Sequence, residues 1–290
     1  MTNFQHILFP VDFSKRCDDF RPLVQSLAKR FQSKVTLMHV IETPVGWYGG
    51  QDVVYPVLFD FEEMKSSAFK ELDKFYASSV EQSSIRTAVA KVVEHGTPAL
   101  YITEYARDNG VDLIVMPTHG YGRFRRFILG SVTAKILHDA RCAVLTGSHT
   151  EEPELKKHLD CLEIMCAVDL TPASVPLIRD ALELAHKFKA GLRLVHGAGF
   201  GDVEYLDDDV RRQLLSATRE RVRALSQEAG ADVEICIEAD AVSKVVREAA
   251  LRHHADLVVI GRGHLRESFG GLRSNEYSII RDSPCPVLSL

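Results

Sequence analysis

The chain repeats itself, and that constrains its fold more than any other feature. Ile7-Leu8-Phe9-Pro10-Val11-Asp12-Phe13-Ser14 is echoed by Ile164-Met165-Cys166-Ala167-Val168-Asp169-Leu170-Thr171. Asp12 and Asp169 stand 157 residues apart, and the same offset relates Ala28 to Ala185, Phe31 to Phe188, Leu37 to Leu194 and His39 to His196. Further on, Asp112-Leu113-Ile114-Val115 matches Asp256-Leu257-Val258-Val259 at an offset of 144, and Ser131 and Cys142 match Ser274 and Cys285 at 143. The fall from 157 to 144 puts 13 extra residues in the first half, within a stretch over 44–61 rich in glycine and aromatics that includes Trp47. Two paralogous domains are therefore expected, at 1–147 and 161–290, joined by the polar, charged linker 148–160. A length of 290 residues is also where one hydrophobic core gives way to two.

Inside each half, short apolar runs alternate with helical periodicity. Val35 to Ile41 and Leu192 to Val195 have strand length, while Leu23, Leu27, Ala28 and Phe31 fall on one helical face, as do Ile178, Leu182, Ala185 and Phe188. The first half predicts strands at 5–11, 34–41, 86–93, 112–117 and 142–146, and helices at 17–32, 61–82, 97–109 and 131–140. Strands separated by helices imply parallel pairing with right-handed crossovers. The expected fold class is α/β: two tandem repeats of an open, five-stranded parallel doubly wound sheet, Rossmann-like.

Composition narrows the function classes. A formal charge of −5 argues against non-specific nucleic-acid binding, and no apolar run approaches the roughly 20 residues of a membrane span. The start, MTNFQHILFPVDF, has no signal-type pattern, so a cytoplasmic protein is expected. The six cysteines (Cys17, Cys142, Cys161, Cys166, Cys236 and Cys285) form no C-x-x-C pair and read as reduced, mostly buried thiols, without a metal site.

In an open parallel sheet, ligands bind beyond the carboxyl ends of the strands, where the strand order reverses. The first strand ends at Asp12; the fourth ends at Pro117-Thr118-His119-Gly120, and Gly130-Ser131 then opens a helix. A helix N-terminus offers unpaired N–H groups and a positive dipole end, which suit phosphate. Gly120 and Gly130 would let an anion approach the backbone, and Ser131 could cap the helix or bond a phosphate oxygen.

These residues resemble the universal stress protein family. Its ATP-binding members carry G-x2-G-x9-G-[ST] after the fourth strand and an Asp after the first. Pro117-x2-Gly120-x9-Gly130-Ser131 matches every element except the first glycine, and the flanks (Asp112 to Met116, Val132-Thr133-Ala134-Lys135, Cys142-Ala143-Val144-Leu145) are similar too. The resemblance spans nearly all of both halves. It implies the adenine nucleotide alpha hydrolase-like fold group and ATP, with or without Mg, as ligand. Pro10, Asp12, Val40, Met116, Pro117 and His119 would line the site, with Gly120, Gly130, Ser131 and Val132 on the phosphates. Pro117 removes one backbone N–H from that loop. The second half departs further: Gly261-Arg262-Gly263 is one residue short, Arg273-Ser274 stands where Gly-Ser is expected, and Gly197 replaces Val40's counterpart. Asp169, Gly261, Gly263, Arg273 and Ser274 thus outline a degenerate second site. Single-domain members pair through their last strand, so the resemblance also implies an intramolecular pseudo-dimer, to which a homodimer of tandem chains could be added.

Plainer roles remain open at this point. Asp12 and Asp169 could cap the turns after their strands. His39 and His196 read as structural, and His119 as either a ligand contact or a loop hydrogen bond. Arg123, Arg125 and Arg126 form either a solvated face or a greeting for a triphosphate, and His253-His254 reads as surface. No nucleophile–base set is visible and no Walker lysine follows the loop. A regulatory nucleotide-binding stress protein is therefore the leading expectation. Its rivals are a stress or scaffold protein of the same fold without nucleotide, and a slow ATP hydrolase.

Overall fold

The computed structural model describes residues 3–42, 60–80, 89–118, 129–147, 162–199, 207–262 and 274–290. The first half runs β1 (His6–Pro10), α1 (Lys15–Phe31), β2 (Lys34–Ile41), α2 (Phe61–Val80), β3 (Val89–His95), α3 (Pro98–Asp108), β4 (Leu113–Met116), α4 (Ser131–Asp139) and β5 (Ala143–Thr146). The second repeats it as β6 (Glu163–Ala167), α5 (Ser174–Phe188), β7 (Gly191–Gly197), α6 (Asp208–Ala229), β8 (Glu234–Glu238), α7 (Val242–Arg252), β9 (Leu257–Ile260), α8 (Ser274–Asp282) and β10 (Val287–Ser289). The expected element order holds throughout the first half. The linker expected at 148–160 lies outside the described residues.

Local chemistry starts and stops these elements. Ser14 caps α1 by accepting the Cys17 N–H, Pro98 opens α3 where a missing N–H costs nothing, and Asp207 caps α6. Gln32 and Lys189 close α1 and α5 in matching left-handed conformations. Asp112 and Asp256 secure the strand starts. The Asp112 Oδ2 accepts the N–H groups of Gln5 and His6, each at 2.9 Å, and the Asp256 Oδ2 accepts those of Leu162 and Glu163 at 2.8 and 3.1 Å.

All ten strands join one sheet in the order β3-β2-β1-β4-β5-β10-β9-β6-β7-β8. Pairing is parallel within each half and antiparallel at the seam, where Val287, Leu288 and Ser289 face Thr146, Leu145 and Val144. Helices cover both faces, which explains why the strands are apolar at consecutive positions instead of alternating. Ile7, Phe9, Leu257 and Val259 belong to the core under α1, α2, α5 and α6, whereas Leu8, Val258 and Ile260 belong to the core under α3, α4, α7 and α8. Both cores run across the seam.

Candidate functional site

The order β3-β2-β1-β4-β5 reverses between β1 and β4, and the carboxyl ends of these two strands are where sheets of this kind place their ligands. Beyond β1 the chain turns sharply. Phe13 has φ 59°, a left-handed conformation uncommon for a bulky residue, and Leu170 repeats it at 62°. The turn is held by side chains. The Asp12 Oδ1 accepts the Ser14 N–H and the Cys17 S–H, both at 2.9 Å, and the His39 Nδ1 lies 2.7 Å from the Val11 carbonyl. In the second half the Asp169 Oδ1 accepts the Thr171 N–H at 3.1 Å and the Ser174 hydroxyl at 3.0 Å, while the His196 Nδ1 lies 2.7 Å from the Val168 carbonyl. Both histidines thus secure a backbone carbonyl that leaves the sheet at this kink.

Cys17 is a site component that motif reading missed. Burial first, and then the neighbouring Asp12 carboxylate, push its thiol up to about 12, so it keeps its proton and serves as a donor. The repeat offset carried the signal, since 157 residues on from Cys17 stands Ser174, the same donor in another element.

The far wall is built by β4 and α4. The Gly130 N–H donates to the Thr118 carbonyl at 3.0 Å, and the Thr133 hydroxyl donates to the Pro117 carbonyl at 3.3 Å, which seats the start of α4 against the end of β4. Gly130 brings no capping side chain, so the N–H groups of the first turn have no side-chain partner from the cap. Ser131 is exposed there, and Gly130 and Val132 are half-buried. Val40 and Met116 are buried in the core beneath α3 and α4, and Pro10 is half-buried at the end of β1. The Asp12 turn, the buried Val40 and Met116, and the start of α4 thus lie at the carboxyl ends of β1, β2 and β4. His119, Gly120, Arg123, Arg125 and Arg126 lie outside the described residues.

In the second half, helices pack closely against the ends of β7 and β9. A Cβ on Gly197, the counterpart of Val40, would sit 2.7 Å from the Val242 Cα, so α7 packs directly onto the end of β7. A Cβ on Gly261 would meet the Leu177 side chain at 3.2 Å. Arg262 is turned towards the first half, where its Nη1 donates to the Ala140 carbonyl at 2.7 Å and its Nη2 to that of Cys142. Gly263 and Arg273, and the side chain of Ser274 at the start of α8, are outside the described residues. Among the described residues, no group of three or more His, Cys, Asp or Glu is placed to hold a metal ion, and no helix is long and apolar enough to cross a membrane.

Two doubly wound units joined in one sheet define a tandem α/β protein. More particularly, the chain belongs to the universal stress protein family, whose profile matches residues 3–146 and 162–290. It is 30% identical over 144 residues to universal stress protein A homolog 1 of Coxiella burnetii, covering 49% of this chain and 95% of that protein. It is 27% identical over 144 residues to universal stress protein YxiE of Bacillus subtilis, covering 49% and 97%. In fold it resembles the crystal structure of a universal stress protein from Archaeoglobus fulgidus, with a TM-score of 0.69, 21% identity and coverage of 98% of this chain and 95% of that one.

Proposed function

We propose that this chain is a cytoplasmic stress-response protein that binds ATP or a related adenine nucleotide at one site, in its first half, as a regulatory ligand. The carrying observation is the uncapped start of α4 at Gly130, tied by its N–H to Thr118 beside the Asp12 turn. Phosphates would lie on that helix start, against Gly120, Gly130, Ser131 and Val132, with Asp12 at the adenosine end over Val40 and Met116. When bound, the nucleotide supplies a polyanion that neutralises the positive end of α4. The chain's own part is to hold the Asp12 turn and the α4 start in register, with a Cys17 donor that stays protonated.

A second reading, a stress or scaffold protein without nucleotide, is favoured by Pro117, which is buried at the loop edge and offers no N–H. Calorimetry of ATP with the intact protein separates the two. One site per chain is expected, and Gly130→Arg should remain folded and weaken it by about 10-fold or more, because the side chain would occupy the phosphate position. Absence of binding by the wild type favours the second reading. Unchanged affinity in Gly130→Arg would put the nucleotide elsewhere.

A further inference from the structure

The helix that opens the candidate site is held at both ends by the other half of the chain. Immediately before its start, the Leu129 N–H donates to the Tyr277 Oη of α8 at 2.8 Å. At its far end, the Arg262 guanidinium bonds the Ala140 and Cys142 carbonyls, setting a cation against the negative end of α4. Burial pulls the Arg262 pKa down, while the nearby Cys142 and Glu276 side chains oppose that.

The repeat counterparts of these two residues differ from them in chemistry. At the repeat offset of 143 residues Tyr277 corresponds to Ala134, which has no hydroxyl to return, and at 144 residues Arg262 corresponds to Thr118, whose own carbonyl is occupied by Gly130.

We propose that Tyr277 is a positioning residue for the first half's phosphate-binding helix start, through which the second half sets the first half's affinity for nucleotide. The proposal rests on the nucleotide reading above, but its structural core can be tested without a ligand. A hydrogen bond to the Leu129 N–H fixes where the chain enters α4, and so the direction of the N–H groups that follow Gly130. Its loss would leave the fold intact and widen the range of entry angles.

The test is Tyr277→Phe in the full chain, which keeps the ring and removes one oxygen. Amide hydrogen exchange without ligand should rise about 10-fold at Leu129, with Ile114 and Val144 unchanged, and ATP affinity by calorimetry should fall about 3- to 10-fold at an unaltered thermal midpoint. Unchanged exchange at Leu129 overturns the proposal, and so does faster exchange with wild-type affinity. If the wild type takes up no nucleotide, the nucleotide reading fails, and exchange at Leu129 alone decides whether Tyr277 positions the loop. Should the variant not fold, the wild type carries the test by reciprocity: saturating ATP should slow exchange across α8, and an α8 indifferent to bound ATP overturns the coupling.

Discussion

Cys17 and Ser174 occupy equivalent places and perform one task with different atoms, each donating to an aspartate Oδ1 at 2.9 and 3.0 Å. Both are buried where their helices meet the sheet, at 1% and 2% exposure, so neither proton competes with solvent. The second half has in effect already carried out the Cys-to-Ser exchange. Cys17→Ser should therefore retain nearly all stability in urea unfolding. Cys17→Ala, which strips a donor from Asp12 and leaves a small void, should lose about 1–2 kcal/mol. Equal losses in the two variants would mean that Cys17 acts through packing alone. Asp12 performs the turn role expected of it, accepting the Ser14 N–H and the Cys17 S–H. One oxygen, Oδ1, holds the turn that follows β1.

At the scale of elements, the two halves differ in how their third and seventh helices approach the sheet. Gly197 ends β7 under the Val242 backbone, so a side chain there has no room. Gly197→Val should cost about 1–3 kcal/mol through overpacking against backbone that cannot swing aside. Gly199 is the control, since among the described residues a Cβ there would meet only the Asp240 carbonyl oxygen, at 3.9 Å, and Gly199→Ala should be nearly neutral in the same thermal melts. A tolerated Gly197→Val would mean that α7 moves easily on the end of β7. Elsewhere, helix starts and stops follow local chemistry, as at Ser14, Pro98 and Asp207, and those elements were readable from the chain alone.

For the whole molecule, the seam is the decisive contact. Each half ends in a strand whose outer edge would otherwise present unpaired backbone groups, and β5 and β10 cover one another. The contact extends beyond the ladder. Phe31 and Phe188, equivalent in the repeat, meet edge-on with centroids 5.9 Å apart, the Arg30 Nη1 donates to the Lys187 carbonyl at 3.1 Å, and the Thr146 hydroxyl donates to the Val287 carbonyl at 3.3 Å. The two halves are thus arranged as a pseudo-dimer within one chain. Residues 1–147 expressed alone should therefore form a homodimer by light scattering, because Val144 and Leu145, 0% and 3% exposed in the full chain, would be uncovered. A stable, soluble monomer at high concentration would contradict this account of the seam.

The repeat, the element order and the doubly wound class follow from sequence alone, because apolar periodicity, caps and the spacing of Asp12, Gly120 and Gly130-Ser131 are local properties of a chain. The resemblance carried by those residues pointed to the family and, for the first half, to the carboxyl ends of β1 and β4. What sequence could not supply was direction. Arg262 stands inside the loop pattern of its own half, yet its guanidinium crosses the seam, and Tyr277 carries no motif at all, yet it meets Leu129, 148 residues away. Gly197 reads as a lost valine until α7 is seen lying on it. Which atoms a long side chain reaches, and which strand end a helix packs on, depend on how two similar halves pack across an antiparallel seam. That packing is a sum of contacts between residues far apart in the chain, so only the tertiary structure decides it.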